Sequence, residues 1–426
     1  MTTLKENATF GIVGPSWSNA CVGDNGSPNL IDYASGFASA ANALLDAAIA
    51  GRGRILPVDT LIYPICFNMR HAVELFLKSA SADLDRLALV QGRPRADSGL
   101  ANSHDLSRIW TVVREQAAGA DQRLTAITSQ VDEYVTDIAQ VDATGQVFRY
   151  PFDLENKKHL TEFAIINVLV VKRRFKRIEE LLHDLRRMIE RLSDEYSWGT
   201  FTRKLSRDQL FEIARALPPR SAWQSPDFAQ AKAALKTKYG LSSNELCKAL
   251  NLIQQRHELA ALVGLKVELP GLSQRALKEF FDAWSTAHDL DAIKNPRAGE
   301  LVEAEAMDVD RVLQWDEALR AAGAAIVKSV DPGALATLRA LYYFRREPPF
   351  SEAFERTLRI QQSEAKLHEQ DAKEFRRAAR KLLSKPRAME YVLYSLNFLG
   401  QLDELEFVIK QYDLASARGR LLSASI

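Results

Sequence analysis

Residues 175–192 carry the sequence FKRIEELLHDLRRMIERL, and this stretch decides the fold class. Its apolar side chains recur three and four positions apart, which is the spacing of one buried face on an α-helix. That stripe consists of Phe175, Ile178, Leu182, Leu185, Ile189 and Leu192. No stretch of the chain shows the sustained period-two alternation of a half-buried strand. The sequence therefore predicts an all-α protein.

The chain has 426 residues, which is more than one compact core usually holds. We therefore expect more than one domain. Glycine and proline breaks separate helical patterns on both sides of residue 198. We predict a long helix over about 157–195, which closes the first helical domain. The predicted segments are an irregular lead-in over 1–34, a helical bundle over 35–198, a helical C-terminal domain over 199–414 and a flexible tail over 415–426.

The overall charge gives no reason to expect a nucleic-acid or membrane partner, because 56 basic and 55 acidic side chains nearly cancel. Any such partner must therefore be held by a local patch. Hydrophobic residues make up 46% of the chain and charged residues 26%, which is ordinary for a globular protein with a core.

Cys21, Cys66 and Cys247 are scattered, which argues against a disulfide framework or a zinc site and favours a reducing compartment. The longest apolar run, 163–171, is far shorter than the roughly 20 residues of a membrane span. The first ten residues lack the apolar segment of a signal peptide. We found no Walker loop, GxGxxG, HExxH or GxSxG motif in a usable context. We therefore expect a cytoplasmic protein with no cofactor, no metal and no membrane partner.

Three short strings in the first half have a familiar order and spacing. They are Arg70-His71-x-x-Glu74-Leu75-x-Leu77-Lys78, His104-Asp105-Leu106, and Phe148-Arg149-Tyr150-Pro151. Together they resemble bacterial HEPN-like proteins, a family of helical domains associated with RNA and nucleotides. The resemblance covers about 35–195. It implies a helical bundle, a homodimer, an RNA or nucleotide partner, and a role in bacterial defence or a toxin–antitoxin system.

The first string has two interpretations. Arg70, Glu74 and Lys78 are four apart and form one charged stripe, which is most often a solvated ion-pair ladder. Alternatively, His71 and His104 meet in a polar groove between two helices. Such a pair suits acid–base chemistry or phosphate binding, because histidine exchanges protons near neutral pH.

The other two strings also leave alternatives open. One interpretation of His104-Asp105 is purely structural. The dipole at a helix N-terminus favours the negative charge of Asp105, and His104 would cap that helix or pack against it. Arg149 and Tyr150 lie in a predicted loop, where an arginine can hold a phosphate in a bidentate fork or satisfy carbonyls at a helix end. We take all of these residues as candidate groove residues.

HEPN ribonucleases carry an arginine and a histidine, separated by four to six residues, on their last helix. Arg177 and His183 have that spacing, so the resemblance implies metal-independent RNA cleavage with His183 as acid/base and Arg177 stabilising charge. Ile178 departs from the family's pattern, which has a polar residue there. The two side chains also fall about 120° apart around the helix, so they converge only with a partner chain.

The same helix carries a basic run, Lys172-Arg173-Arg174-x-Lys176-Arg177, followed by Arg186, Arg187 and Arg191. These side chains either contact phosphates without reading sequence or form a solvated face with the interleaved acidic residues.

The second half admits other interpretations. Three strings in the second half resemble those of the first half and suggest a degenerate second HEPN-like copy. They are Arg256-His257-Glu258-Leu259, His288-Asp289-Leu290 and residues 344–350. A helix-turn-helix over 233–252 would use Asn244, Lys248 and Asn251, although Lys236 replaces the usual small residue. From another class, the protein would be a non-catalytic helical module for dimerisation or for a protein partner.

Overall fold

The structure is a computed structural model, and within the residues that it describes the chain forms helices and no strand, so the all-α prediction is confirmed. The chain divides into two compact units, Met1–Ser197 and Trp198–Ile426. The predicted boundary lies one residue away. The described residues are 9–12, 14–54, 57–95, 99–100, 102–294, 309–347, 349–368 and 371–422.

The first unit is a bundle of five α-helices in which α2 is central and contacts α1, α3 and α5. These helices are α1 (Leu30–Ala50), α2 (Val58–Val90), α3 (Leu106–Ala120), α4 (Gln122–Val141) and α5 (Val168–Ser197). Small buried residues on α1, among them Ala34, Ala38 and Ala41, let its backbone approach α2 closely. The stripe that begins at Phe175 is buried on α5, as its spacing predicts.

One residue, Asp121, both ends α3 and begins α4. Its carboxylate accepts hydrogen bonds from Arg123 and from the hydroxyl of Tyr196 on α5, each at 2.9 Å. Arg123 also pairs with Glu195 at 2.8 Å. Because burial alone raises the pKa of the Asp121 carboxyl and the Arg123 bonds outweigh it, that pKa lies below its usual value. This ion-pair group fixes the end of α5 to the α3–α4 corner.

Three boundaries differ from the sequence-based expectations. Residues 157–167 are irregular and α5 begins at Val168, because Asn167 accepts the backbone N–H of Leu169 there. The lead-in is shorter, since α1 begins at Leu30. The expected flexible tail instead forms a short helix with a buried residue, Leu421; residues 423–426 lie outside the described part.

The second unit contains two hydrophobic cores. The first is formed by α6 (Arg207–Ala216), α7 (Pro226–Tyr239), α8 (Ser243–Gln255) and α9 (His257–Leu262). The second core is built from the helices that follow. They are α10 (Gln274–Ser285), α11 (Leu290–Lys294), α12 (Val309–Ser329), α13 (Pro332–Phe344), α14 (Ser351–His368), α15 (Ala372–Leu383), α16 (Ala388–Phe398), α17 (Leu402–Gln411) and α18 (Arg418–Leu422).

A buried ion cluster joins these two cores. Arg207 of α6 pairs with Glu258 of α9 and, at 2.8 Å, with Glu352 of α14. All three side chains are less than a tenth exposed. Thr200 donates its hydroxyl to Glu352, and Ser351 donates its backbone N–H to Glu258 at 3.4 Å. Burial of this kind is tolerated only because every charge has a partner.

The strings that suggested a second copy occupy different places in the two units. Arg70 and Glu74 lie in the middle of α2, whereas Arg256 is the N-cap of the six-residue helix α9. His288 stacks on Trp284 at 4.5 Å between ring centroids.

Among the described residues, no helix is long and apolar enough to cross a membrane.

Candidate functional site

The Arg70 guanidinium is the centre of the site that the three sequence strings form. It is 2% exposed and donates to three backbone carbonyls on other segments. Those acceptors are the oxygens of Asp142 at 3.1 Å, His104 at 2.5 Å and Ala143 at 2.8 Å. Arg70 therefore ties α2 to the start of α3 and the end of α4, and its guanidinium is occupied by these bonds.

Glu74 lies one turn further along α2 and is 1% exposed. It pairs with Arg70 and, at 2.9 Å each, with Lys78 Nζ and His104 Nδ1, while His71 Nδ1 lies at 3.8 Å. Burial alone would raise the pKa of Glu74, but the interactions with His71, Lys78 and Arg70 hold that pKa well below its usual value. Glu74 is thus an ionised acceptor within the bundle.

The turn after α4 is built around Asp142, which is fully buried. Its Oδ1 accepts the backbone N–H groups of Gly145 at 2.8 Å, Gln146 at 3.0 Å and Val147 at 3.2 Å. Gly145 has φ +78°, and its backbone lies against the Arg70 guanidinium. This turn sets the direction of the segment that carries Arg149 and Tyr150.

The other predicted groove residues lie around this centre. Asp105 is the N-cap of α3 and accepts the N–H of Ser107 at 2.9 Å. His104 holds Glu74 with one ring nitrogen, and its side chain is 65% exposed. Arg149 lies over the rings of Phe67 at 5.5 Å and Tyr150 at 5.3 Å. Thus the structure brings the three strings together, with Arg70 and Glu74 inside and His104 and Arg149 towards solvent.

The structure does not bring Arg177 and His183 to a common contact within one chain. Arg177 is exposed, pairs with Glu180 at 3.2 Å and approaches Gln130 of α4 at 3.4 Å. His183 is half-buried, and its ring meets Phe76 of α2 edge-on at 5.1 Å. The two side chains therefore turn towards different neighbouring helices.

The basic run of α5 separates into paired and outward-facing members. Lys172 pairs with Asp46 at 3.0 Å, and Arg174 pairs with Asp137 at 2.7 Å. Further cations are exposed on the opposite side of the helix from its buried stripe. They are Arg173, Lys176, Arg177, Arg187 and Arg191, which we call the α5 basic face.

Two of these five cations have a carboxylate partner within the described residues, and each partner lies three positions away on the same helix: Arg177 pairs with Glu180, and Arg187 pairs with Asp184. Such exposed pairs are worth about 0–1 kcal/mol, so they exchange readily for another anion. The other three, Arg173, Lys176 and Arg191, have no carboxylate partner among the residues that the structure describes. The face spans about 27 Å at 1.5 Å per residue.

A cavity of about 360 Å³ lies between α2, α4, α5 and the irregular segment 142–167. Its walls are mainly apolar, and they include Cys66, Phe148 and Ile166. Burial, with a smaller effect from Asp142, raises the pKa of the Cys66 thiol to about 12. Sequence reasoning missed this cavity, although the apolar run 163–171 was its signal, because much of that run lies outside a helix.

Comparison with protein-family models, curated proteins and solved structures finds no match to this chain. The described residues define an all-α protein of two helical units, with the buried Arg70–Glu74 pair and the α5 basic face in the first. The HEPN-like resemblance stays a prediction that rests on the three strings.

Proposed function

We propose that the first unit is a HEPN-like domain that binds RNA through the phosphate groups of the RNA backbone. The observation that carries this proposal is the α5 basic face, with three cations that have no carboxylate partner within the described residues. Because the net charge of the chain is only +1, such a local patch is the feature that a nucleic-acid partner needs. The setting would be bacterial defence or a toxin–antitoxin system, as the resemblance implies.

Binding is better supported than cleavage by a single chain. A general acid/base must reach the proton that it transfers, and a charge-stabilising arginine must approach the same phosphate. Here Arg177 donates to Gln130 of α4, while His183 packs against Phe76 of α2. Cleavage by Arg177 and His183 is therefore a proposal for a homodimer only, in which a second copy completes the site.

The test is fluorescence anisotropy of a labelled single-stranded RNA at several salt concentrations. The variant replaces Arg173, Lys176 and Arg191 by glutamine. A matched control replaces Arg54, Arg108 and Lys158 by glutamine; these are exposed cations of the same unit that lie outside α5. We expect the α5 variant to lose at least tenfold in affinity, and its salt slope to fall by about 2, since each phosphate contact contributes about 0.7 for single strands. Equal losses in both triple variants, or no binding by the wild type, would overturn the proposal.

The same RNA incubated with EDTA tests for catalysis. Cleavage that both Arg177→Ala and His183→Ala abolish, while binding persists, would establish the metal-independent ribonuclease. Intact RNA with unchanged binding would establish a binding domain alone. Size-exclusion chromatography with light scattering on each variant reports whether a homodimer is present.

A second candidate function, a non-catalytic interaction module, is favoured by the cavity. Large apolar side chains are exposed in and beside the segment that borders it, including Phe163 at 45%, Ile165 at 89% and Val170 at 44%. Cavities of this size with mainly apolar walls are typical binding sites, and exposed apolar patches mark protein interfaces. If the protein is such an interaction module, Ile165→Asp should abolish partner capture or self-association and leave RNA binding unchanged.

A further inference from the structure

The connection between α7 and α8 has the form of a helix-turn-helix. Three residues, Gly240, Leu241 and Ser242, separate the two helices. Gly240 is left-handed, with φ +59°, and Ser242 forms a capping box with Glu245. A turn of three to four residues that contains glycine is typical of this motif.

The two helices diverge from that turn instead of packing side by side. Only a few residues of α7 approach α8, whereas α3 and α4, which are joined through one residue, lie together along much of their length. A DNA-binding helix-turn-helix needs this divergence, because its second helix must project from the domain to enter a groove. An antiparallel helical hairpin would instead bury one face of α8 along α7.

The core of this part of the unit fixes which face of α8 is turned outward. Leu246, Ala249 and Ile253 of α8 are buried together with Leu235 of α7 and Leu241 of the turn. Lys236, which replaces the usual small residue, donates its ammonium to Ser243 at 2.9 Å. This hydrogen bond links the last turn of α7 to the first turn of α8 at the surface.

The outward face of α8 carries polar side chains suited to base edges. We call it the α8 polar face, and it consists of Asn244, Cys247, Lys248, Asn251 and Gln255. All five side chains are exposed, and none has a hydrogen-bond or ion-pair partner within the described residues. The acidic residue of α8, Glu245, is held by the capping box and by Lys204. The face therefore presents three amides and a cation without a carboxylate.

Charge is also concentrated in this part of the chain. Apart from the buried Arg207, residues 201–255 contain eight basic and four acidic side chains, a net charge of +4, while the complete chain has +1. A locally basic helical domain is the electrostatic footprint of a nucleic-acid partner.

We propose that α8 binds in the major groove of duplex DNA and reads A·T pairs through Asn244, Asn251 and Gln255, with Lys248 on a phosphate. Asparagine and glutamine form bidentate hydrogen bonds with adenine N6 and N7. The B-form major groove admits an α-helix, whereas that of duplex RNA is too narrow and deep. This activity belongs to the second unit and does not depend on the RNA contact proposed for the first.

The test begins with selection of duplex DNA from a randomised library by the full-length protein. We expect an enriched site that contains A·T pairs. Asn244→Ala/Asn251→Ala should weaken binding to that site at least tenfold and relax the preference for adenine, with helix content unchanged by circular dichroism. Lys248→Ala should weaken binding to all sequences and reduce the salt slope by about 1.

Controls keep this result distinct from other modes of binding. Gln224→Ala/Gln230→Ala removes two exposed amides of the same unit that lie outside α8 and should leave affinity unchanged. The variant of the α5 basic face should still bind the selected duplex. No enriched site, equal loss in the Gln224/Gln230 control, equal binding to the matching duplex RNA, or loss of duplex binding in the α5 variant would overturn the proposal.

Discussion

Arg70 and Gly145 fit together so closely that a Cβ atom at position 145 would lie 3.1 Å from Arg70 Nη1. Gly145 also has a left-handed backbone conformation, φ +78°, which residues with a side chain rarely adopt. The glycine thus serves two purposes, since it makes the turn after α4 and leaves room for the guanidinium that ties three segments together.

Gly145→Ala should destabilise the first unit by about 1–3 kcal/mol, because the new methyl adds a close contact to an unfavourable backbone conformation. Gly92→Ala is the matched control, since Gly92 has φ +69° and open space around its missing Cβ. The difference between the two variants in urea unfolding isolates the contact with Arg70. Equal destabilisation would show that the guanidinium moves aside freely.

Glu74→Gln should make the free energy of unfolding depend less on pH in the acid range. The folded pKa of Glu74 is below its usual value, so its contribution is present above the unfolded pKa of about 4.3 and is lost as pH falls towards the folded pKa. We expect the wild type to be more stable than the variant at pH 7, and the difference to shrink below about pH 4.5. Urea unfolding at pH 7, 5, 4 and 3 measures this, and a constant difference would contradict it.

His257→Gln should flatten the pH dependence of the second unit. Burial, aided by Arg256, lowers the pKa of His257 to about 4. Because the unfolded chain takes up this proton near pH 6.5, stability should fall between pH 6.5 and 4, by on the order of 3 kcal/mol in total. Chemical denaturation across this range should show that loss in the wild type and a smaller one in the variant. Identical profiles would mean that His257 does not titrate there.

The three cysteines should react at two very different rates. Cys21 and Cys247 are exposed, whereas Cys66 is buried with a pKa raised to about 12. Since the thiolate is the reactive form, iodoacetamide at pH 8 should label two residues of the native protein and a third only after unfolding. Peptide mass spectrometry identifies the labelled positions. Rapid native labelling of Cys66 would show that the cavity opens to solvent.

Arg207→Ala should destabilise the second unit by about 3–5 kcal/mol, because it leaves Glu258 and Glu352 as buried charges without their common partner. Arg215→Ala, an exposed arginine on the same helix, is the control and should change stability by less than about 1 kcal/mol. Comparable effects of the two substitutions would contradict the assignment of Arg207 as the centre of the cluster.

Local patterns in the sequence were enough to predict the all-α fold class. The capping boxes at Ser206 and Ser242, and the glycine that ends α7, Gly240, are local signals of the same kind. These signals involve residues within one or two turns of each other. Hydrophobic periodicity likewise predicted the buried side of α5, because it depends only on the position of each residue around one helix.

Long-range contacts could not be predicted in the same way. The acceptors of Arg70 lie up to 73 residues away and are backbone carbonyls, which no side-chain pattern reveals. The start of α5 was placed too early because the apolar run 163–171 resembles a buried helix. Its residues instead border a cavity, and Asn167 begins the helix there. Helix geometry already separated Arg177 from His183, whereas the neighbouring helices that they contact, α4 and α2, could not be predicted.

The division of the second unit into two hydrophobic cores joined by charged side chains has a consequence for its unfolding. Helices α6–α9 keep an interior of their own when the attachment through Arg207 is broken, so we expect them to open as one cooperative segment. Arg207→Ala removes that attachment and leaves the apolar side chains of both cores in place. Amide hydrogen exchange in α6–α9 should then accelerate as one block, while α10–α18 remain protected.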